Sequence, residues 1–113
     1  MDKEWKVMKE LESVNQYNEL IAKDNVIMLF SADWCGDCRF IEPELPEIEE
    51  TFPTYTFVKV DRDKFIEICQ EHAILGIPSF LAYQNGKEVG RFVSKDRKTK
   101  EEVIKFIEDL PSI

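Results

Sequence analysis

Val26-Ile27-Met28-Leu29-Phe30-Ser31-Ala32-Asp33-Trp34-Cys35-Gly36-Asp37-Cys38 is the stretch on which the fold turns. It opens with five consecutive apolar residues, the longest such run in the chain. An unbroken apolar run of that length suits a strand buried on both faces, as in the middle of a mixed or parallel sheet. After four intervening residues, Cys35 and Cys38 fall where a strand should end and a helix begin. The first turn of a helix presents unpaired N–H groups and the positive end of the helix dipole. A thiolate placed there is stabilised, and the thiolate is the reactive form of cysteine. The two-residue spacing sets both sulfurs on that first turn, close enough to bridge with little backbone movement.

The flanks extend the pattern. Toward the amino terminus, Met8 to Glu12 reads as a weak edge strand. Ser13 followed by Gln16 fits a capping box, and Val14, Tyr17, Leu20 and Ile21 share one helical face. Trp5 is expected to anchor the amino-terminal segment. Toward the carboxyl terminus, Ile41, Leu45, Ile48 and Phe52 recur at helical spacing, interrupted by Pro43, which removes a hydrogen bond and bends the axis. Glutamates 42, 44, 47, 49 and 50 then form a solvated face. Tyr55 to Val60 is the next buried strand, and Phe65, Ile68, Cys69 and His72 form the stripe of a short helix. Ser79 to Gln84, Asn85-Gly86 and Lys87 to Val93 spell a hairpin with a type I′ turn. Thr99 with Glu102 opens a last helix carrying Val103, Ile107 and Leu110. Helices alternating with strands and ending in a hairpin imply an α/β sandwich with helices on both faces of the sheet.

Composition bounds the rest. The 113 residues contain no linker or repeat and are expected to form a single domain, 1–113. Fifteen basic against 23 acidic side chains leave a net charge of −8, which excludes a general nucleic-acid binder and argues against docking on anionic lipid. No run approaches the roughly 20 apolar residues of a membrane span. Met1-Asp2-Lys3-Glu4-Trp5-Lys6 lacks the apolar core of a signal peptide, so a cytoplasmic location is expected. Structural disulfides are rare there, and three cysteines do not make a disulfide framework.

Two cysteines two residues apart are also half of a zinc site. Cys69-Gln70-Glu71-His72 supplies the other half on paper, giving a Cys₃His set. Against this, Cys69 and His72 lie on the stripe of Phe65 and Ile68, which reads as packing: Cys69 as a small buried hydrophobe, His72 as a structural histidine.

Phe30 to Cys38 resembles the active-site strand and turn of the thioredoxin family. Gly76-Ile77-Pro78-Ser79 resembles that family's cis-proline loop; Pro43 falls at its helix-kinking proline and Asn85-Gly86 at its hairpin. The resemblance runs from about Met8 to Leu110. It implies a thioredoxin fold with a central mixed sheet of four to five strands flanked by about four helices. It implies a thiol–disulfide oxidoreductase that reduces protein disulfides without organic cofactor or metal, recharged by a flavoprotein thioredoxin reductase and working as a monomer. Cys35 would be the exposed attacking thiolate and Cys38 the buried resolving thiol. Gly36, Asp37 and Lys59 would support them. Trp34, Gly76, Ile77, Pro78 and Val93 would form the substrate groove.

Four positions depart from the pattern. Asp37 replaces the usual proline; it complements the helix dipole but sets a negative charge beside the thiolate. Leu29 stands where thioredoxins keep a buried aspartate under the site, leaving water or Asp37 to take the proton of Cys38. Arg62 and Ser94 replace an aliphatic residue and a glycine of the docking surface. Two other functions share the fold: a binding module that uses the groove without turnover, and a reductase of a specialised low-molecular-weight disulfide.

Overall fold

The computed structural model describes residues 8–23 and 25–112, so Trp5 lies outside the described residues. Five strands form one mixed sheet in the order β1-β3-β2-β4-β5. They are β1 (Lys9–Glu10), β2 (Val26–Ser31), β3 (Thr56–Asp61), β4 (Ser79–Gln84) and β5 (Lys87–Phe92). β3 runs parallel to both β1 and β2, while β4 is antiparallel to β2 and to β5. The helices are α1 (Val14–Lys23), α2 (Gly36–Ile41), α3 (Leu45–Thr51), α4 (Ile66–Glu71) and α5 (Lys100–Glu108).

The apolar run does what its composition requires. All of β2 is buried, and strand alternation sends its side chains to two cores. Val26, Met28 and Phe30 pack with Tyr17, Leu20, Ile68 and Cys69 under α1 and α4. Ile27 and Leu29 pack with Ile41, Leu45, Ile48, Val103 and Ile107 under α2, α3 and α5. The hairpin turn carries positive φ at Asn85 (54°) and Gly86 (79°), as a type I′ turn demands. Thr99 and Glu102 form a complete capping box at α5.

Local chemistry redraws several boundaries. The edge strand shrinks to Lys9–Glu10. At α1, Ser13 Oγ accepts from Gln16 N (3.0 Å), but Gln16 Oε1 accepts from Glu12 N, one residue short of a reciprocal box. Val14 stays on the surface. The segment after Cys38 is not one kinked helix. Pro43 and Pro46 stand at the starts of a 3-10 turn (Glu42–Glu44) and of α3, where a missing N–H costs nothing, so the chain re-initiates twice. Helix α4 stops before His72 because Ala73 takes a left-handed conformation (φ 56°) and Ile74 N bonds back to Cys69 O (2.8 Å).

The glutamate face is not uniformly solvated either. Glu49 Oε2 is buried without a hydrogen-bond partner, and burial pushes its carboxyl up to about 7. A carboxyl raised in the folded state binds its proton more tightly there than in the unfolded chain, so stability falls as pH rises from about 4.5 to about 7. Glu49→Gln is therefore expected to raise the melting temperature at pH 8 and to have little effect near pH 5. Scanning calorimetry at both pH values checks this.

Candidate active site

The site is built at the carboxyl end of β2. After Ser31 the chain turns through Ala32, whose carbonyl accepts from Cys35 N (3.1 Å). Cys35 then serves as the N-cap of α2, with extended backbone (φ −86°, ψ 111°). Its sulfur takes the place of the usual capping oxygen and accepts from Cys38 N at 3.1 Å. One backbone N–H is thus aimed at Cys35 Sγ before any reaction begins. The thiol reaches toward Ile77 O at 3.9 Å, and the Ile77–Pro78 bond is cis. All three cysteines are unbridged.

The two sulfurs differ in access, though less than expected. Cys35 is 7% exposed rather than freely exposed, because Ile77 and Ala32 close over it. It still lines a groove of about 450 Å³. Cys38 is fully buried beneath it. Burial, and then the hydrogen bond with Cys35, push the Cys38 thiol up to about 12.

Trp34, Gly36, Asp37, Gly76 and Ile77 line the groove with Cys35. Trp34 and Leu75 are its apolar rims, 61% and 89% exposed. Trp34 is held by Asp63, whose carboxylate accepts from Nε1 at 2.7 Å, and Arg62 lies over the ring at 5.9 Å. Pro78 is buried. Val93 follows the end of β5 and packs half-buried on the core of α1 and α4, as Ile77 also does. Gly76 permits a close approach: a Cβ there would come within 2.5 Å of Lys95 N and 2.7 Å of the Ser94 carbonyl carbon. The turn before Pro78 is thus pressed against the loop after β5.

Lys59 is not in the groove. Its ammonium pairs with Glu42 at 3.3 Å, in a separate depression with Glu10, Asp33, Asp61 and Lys64. Leu29 is fully buried in the core under α2, α3 and α5, with Lys59 of β3 and Phe80 of β4 as its register neighbours. Cys69 and His72 are not brought to Cys35 and Cys38. They pack near Tyr17, with His72 stacked on its ring at 5.5 Å. Among the described residues no three His, Cys, Asp or Glu side chains cluster as metal ligands.

The largest surprise is the loop 94–98. Arg97 Nε donates to Asp37 Oδ1 at 2.9 Å, and its guanidinium lies over Phe40 at 4.4 Å. The charge of Asp37 is therefore compensated in place. Lys98 is buried in the same loop. The run Lys95-Asp96-Arg97-Lys98 reads in sequence as an ordinary charged loop, so only its position between a strand and a capping box could have drawn attention to it.

A capped, groove-lining thiol above a second buried thiol defines a class: proteins that exchange dithiols with disulfides. The thioredoxin family model matches residues 7–109, and the chain belongs to the thioredoxin family. It is 36% identical over 90 residues to mitochondrial thioredoxin-2 of Schizosaccharomyces pombe, covering 79% of this chain and 68% of that one. It is 30% identical over 100 residues to thioredoxin-1 of the same yeast, covering 88% and 97%. The crystal structure of thioredoxin from Trypanosoma brucei brucei superposes with a TM-score of 0.82 at 28% identity, covering 96% of this chain and 95% of that one. The protein is a thiol–disulfide oxidoreductase, a disulfide reductase in activity.

Proposed function

We propose that Cys35 is the nucleophile and Cys38 the resolving thiol of a protein-disulfide reduction cycle. The observation that carries this is the vertical arrangement of the pair: Cys35 Sγ reaches the groove and receives the Cys38 N–H, while Cys38 has no solvent access. In this reading Cys35 attacks one sulfur of the substrate disulfide and forms a mixed disulfide. Cys38 then attacks Cys35, expels the substrate as a dithiol and leaves an internal disulfide. The substrate lies extended across the groove between Trp34 and Leu75, against the Gly76–Pro78 turn.

The chain is further proposed to act as a monomeric single domain in a reducing compartment, the cytoplasm, with a flavoprotein reductase returning electrons to the pair. Three cysteines, two of them the proposed redox pair, make no structural disulfide framework, which supports a reducing location. No helix among the described residues is long and apolar enough to cross a membrane. Acceleration of insulin reduction by dithiothreitol tests the catalytic reading. A rate equal to the protein-free control would overturn it.

Asp37 has a narrow part in this cycle. Its carboxylate is engaged by Arg97 on a partly exposed surface, where such a pair contributes about 0.2–1 kcal/mol. Asp37→Ala is expected to leave the rate of internal disulfide closure within about fivefold of the native rate. Stopped-flow measurement of that step decides; a slowing well beyond this would return Asp37 to the mechanism as a proton acceptor.

A further inference from the structure

Among the described residues, Lys98 is a buried cation without a bonded counter-ion. It is 1% exposed. Its ammonium donates to the Ser94 carbonyl (3.1 Å), the Ser94 hydroxyl (3.0 Å) and the Asp96 carbonyl (2.9 Å). Its three protons thus meet three neutral oxygens and no carboxylate. The Phe92 ring lies 5.1 Å away. Most lysines in such loops extend their stems so that the ammonium stays in water. Burying an ammonium is costly unless an opposite charge compensates it. The side chain is nevertheless turned inward, while Lys95, Asp96 and Arg97 are exposed.

The loop that holds it is fixed to the redox pair from two sides. Arg97, one residue before Lys98, bonds Asp37, one residue before Cys38. Ser94, which takes two of the three ammonium bonds, accepts at its carbonyl from Ser79 Oγ (3.4 Å). The single Ser79 hydroxyl proton is directed mainly at Gly76 O (2.6 Å), in the turn whose Ile77 carbonyl faces Cys35 Sγ, and is only shared with Ser94 O. The loop that carries the ammonium is therefore anchored to the start of α2 by Arg97 and lies against the turn before Pro78.

The groups that act on Lys98 electrostatically are Asp96, Cys38, Glu102 and Asp37. Those that act on Cys38 include Cys35 and Glu42. Asp37 is engaged by Arg97, Glu102 by the Thr99 cap and Glu42 by Lys59. Asp96 is the strongest of these charges on Lys98, but its side chain lies on the exposed surface and its hydrogen bond to Lys98 runs through the backbone carbonyl. Cys38 is the fully buried group in this set, it gains a negative charge during the cycle, and no cation among the described residues is bonded to it. Burial lowers the Lys98 ammonium and raises the Cys38 thiol, so each charged form is disfavoured alone and the two favour one another.

Building on the dithiol reading above, we propose that Lys98 is a positioning residue for the second half of the exchange, its buried ammonium stabilising the Cys38 thiolate as that thiolate forms. Cys38 passes its proton to a water molecule as the mixed disulfide forms, and Lys98 keeps its own. The Cys38 thiolate attacks Cys35 Sγ of the mixed disulfide. The Cys38–Cys35 bond forms, the Cys35–substrate bond breaks, and the electron pair leaves on the substrate sulfur, which takes up a proton. The pair is oxidised and the substrate reduced. This assigns to a cation from the loop after β5 the place left by the apolar Leu29.

One equivalent of 5,5′-dithiobis(2-nitrobenzoate) mixed with the reduced protein separates the two halves. Attack by Cys35 releases a first coloured thiolate, and attack by Cys38 releases a second. Lys98→Met is expected to leave the first release within about twofold and to slow the second about tenfold at pH 7, the effect of one pKa unit on Cys38. Lys98→Arg, which keeps the charge, should recover most of the second rate. Lys98→Met removes the donor from three oxygens and is expected to lower the melting temperature modestly, so the rescue by Lys98→Arg separates chemistry from stability. In the native protein the second rate should climb with pH and then change slope where Lys98 loses its proton, below the usual lysine range. That break should vanish in Lys98→Met. A second release of native rate and pH dependence in Lys98→Met removes Lys98 from the mechanism. A protein that never makes the first release contradicts the dithiol reading itself.

Discussion

Cys35→Ser is expected to reduce insulin-disulfide turnover to the rate of the protein-free dithiothreitol control. Cys35 is the sulfur that lines the groove. Serine preserves the cap, since a hydroxyl oxygen accepts from the Cys38 N–H at least as well as sulfur does. The fold and α2 should therefore survive, and any lost activity comes from chemistry. A hydroxyl is a far weaker nucleophile than a thiolate near neutral pH and has no base beside it here. Cys38 cannot substitute, because it is fully buried and its thiol is pushed up to about 12. Near-native circular dichroism with background turnover is the expected pair of results. Retention of a large fraction of turnover would mean that another thiol attacks substrate.

Cys38→Ser should produce the opposite kind of failure. The first attack should proceed at close to the native rate, because the groove and Cys35 are untouched. Internal release is then lost, and the protein should accumulate as a covalent complex with its substrate. With a disulfide-bridged peptide, intact-mass spectrometry should show the chain plus one peptide, and digestion should place the bond at Cys35. Turnover should fall to the slow rate at which external thiol cleaves the complex. The substrates captured from a cell extract in this way would be the natural partners of the groove. A bond at Cys69 would contradict the assignment. Cys69 is buried in a different core, under α1 and α4, and burial pushes its thiol up.

Much of this was legible in the chain because it depends on local pattern. The run Val26–Phe30 can be read as a two-faced strand from composition alone, and the structure divides it between two cores accordingly. The positions of Cys35 and Cys38 follow from where that strand must stop. Asn85-Gly86 and Thr99…Glu102 announce their turn and cap through required backbone angles and hydrogen bonds. What stayed hidden depends on partners distant in sequence. Asp37 and Arg97 are 60 positions apart, so the pairing that compensates Asp37 leaves no trace in either segment. Lys98 sits in a charged run that any reading assigns to solvent, and its burial arises only when the loop is clamped to α2 and to the Gly76 turn. Glu49 shares its spacing with solvated glutamates and differs only in what packs over it. Ala73 ends α4 in a conformation usually marked by glycine. The degree to which Cys35 is covered depends on Ile77, from a loop 42 residues away.

Asp37 thereby changes meaning. In the sequence it is an acid beside a thiolate and a candidate proton acceptor for Cys38. In the structure it is one half of an ion pair that pins the loop of Lys98 to the start of α2. Asp37, Glu42 and Glu102 are engaged by Arg97, Lys59 and the Thr99 cap, and the buried charged side chain of the neighbouring loop is a cation.

The central claim, that this chain reduces disulfides through Cys35 and Cys38, is tested most directly by a single turnover. Fully reduced protein is mixed with one equivalent of a disulfide-bridged peptide, quenched with an alkylating agent and mapped by mass spectrometry. The account predicts one reduced peptide released per chain, a Cys35–Cys38 disulfide, and Cys69 alkylated as a free thiol. Peptide left oxidised, or a product disulfide that includes Cys69, would contradict it.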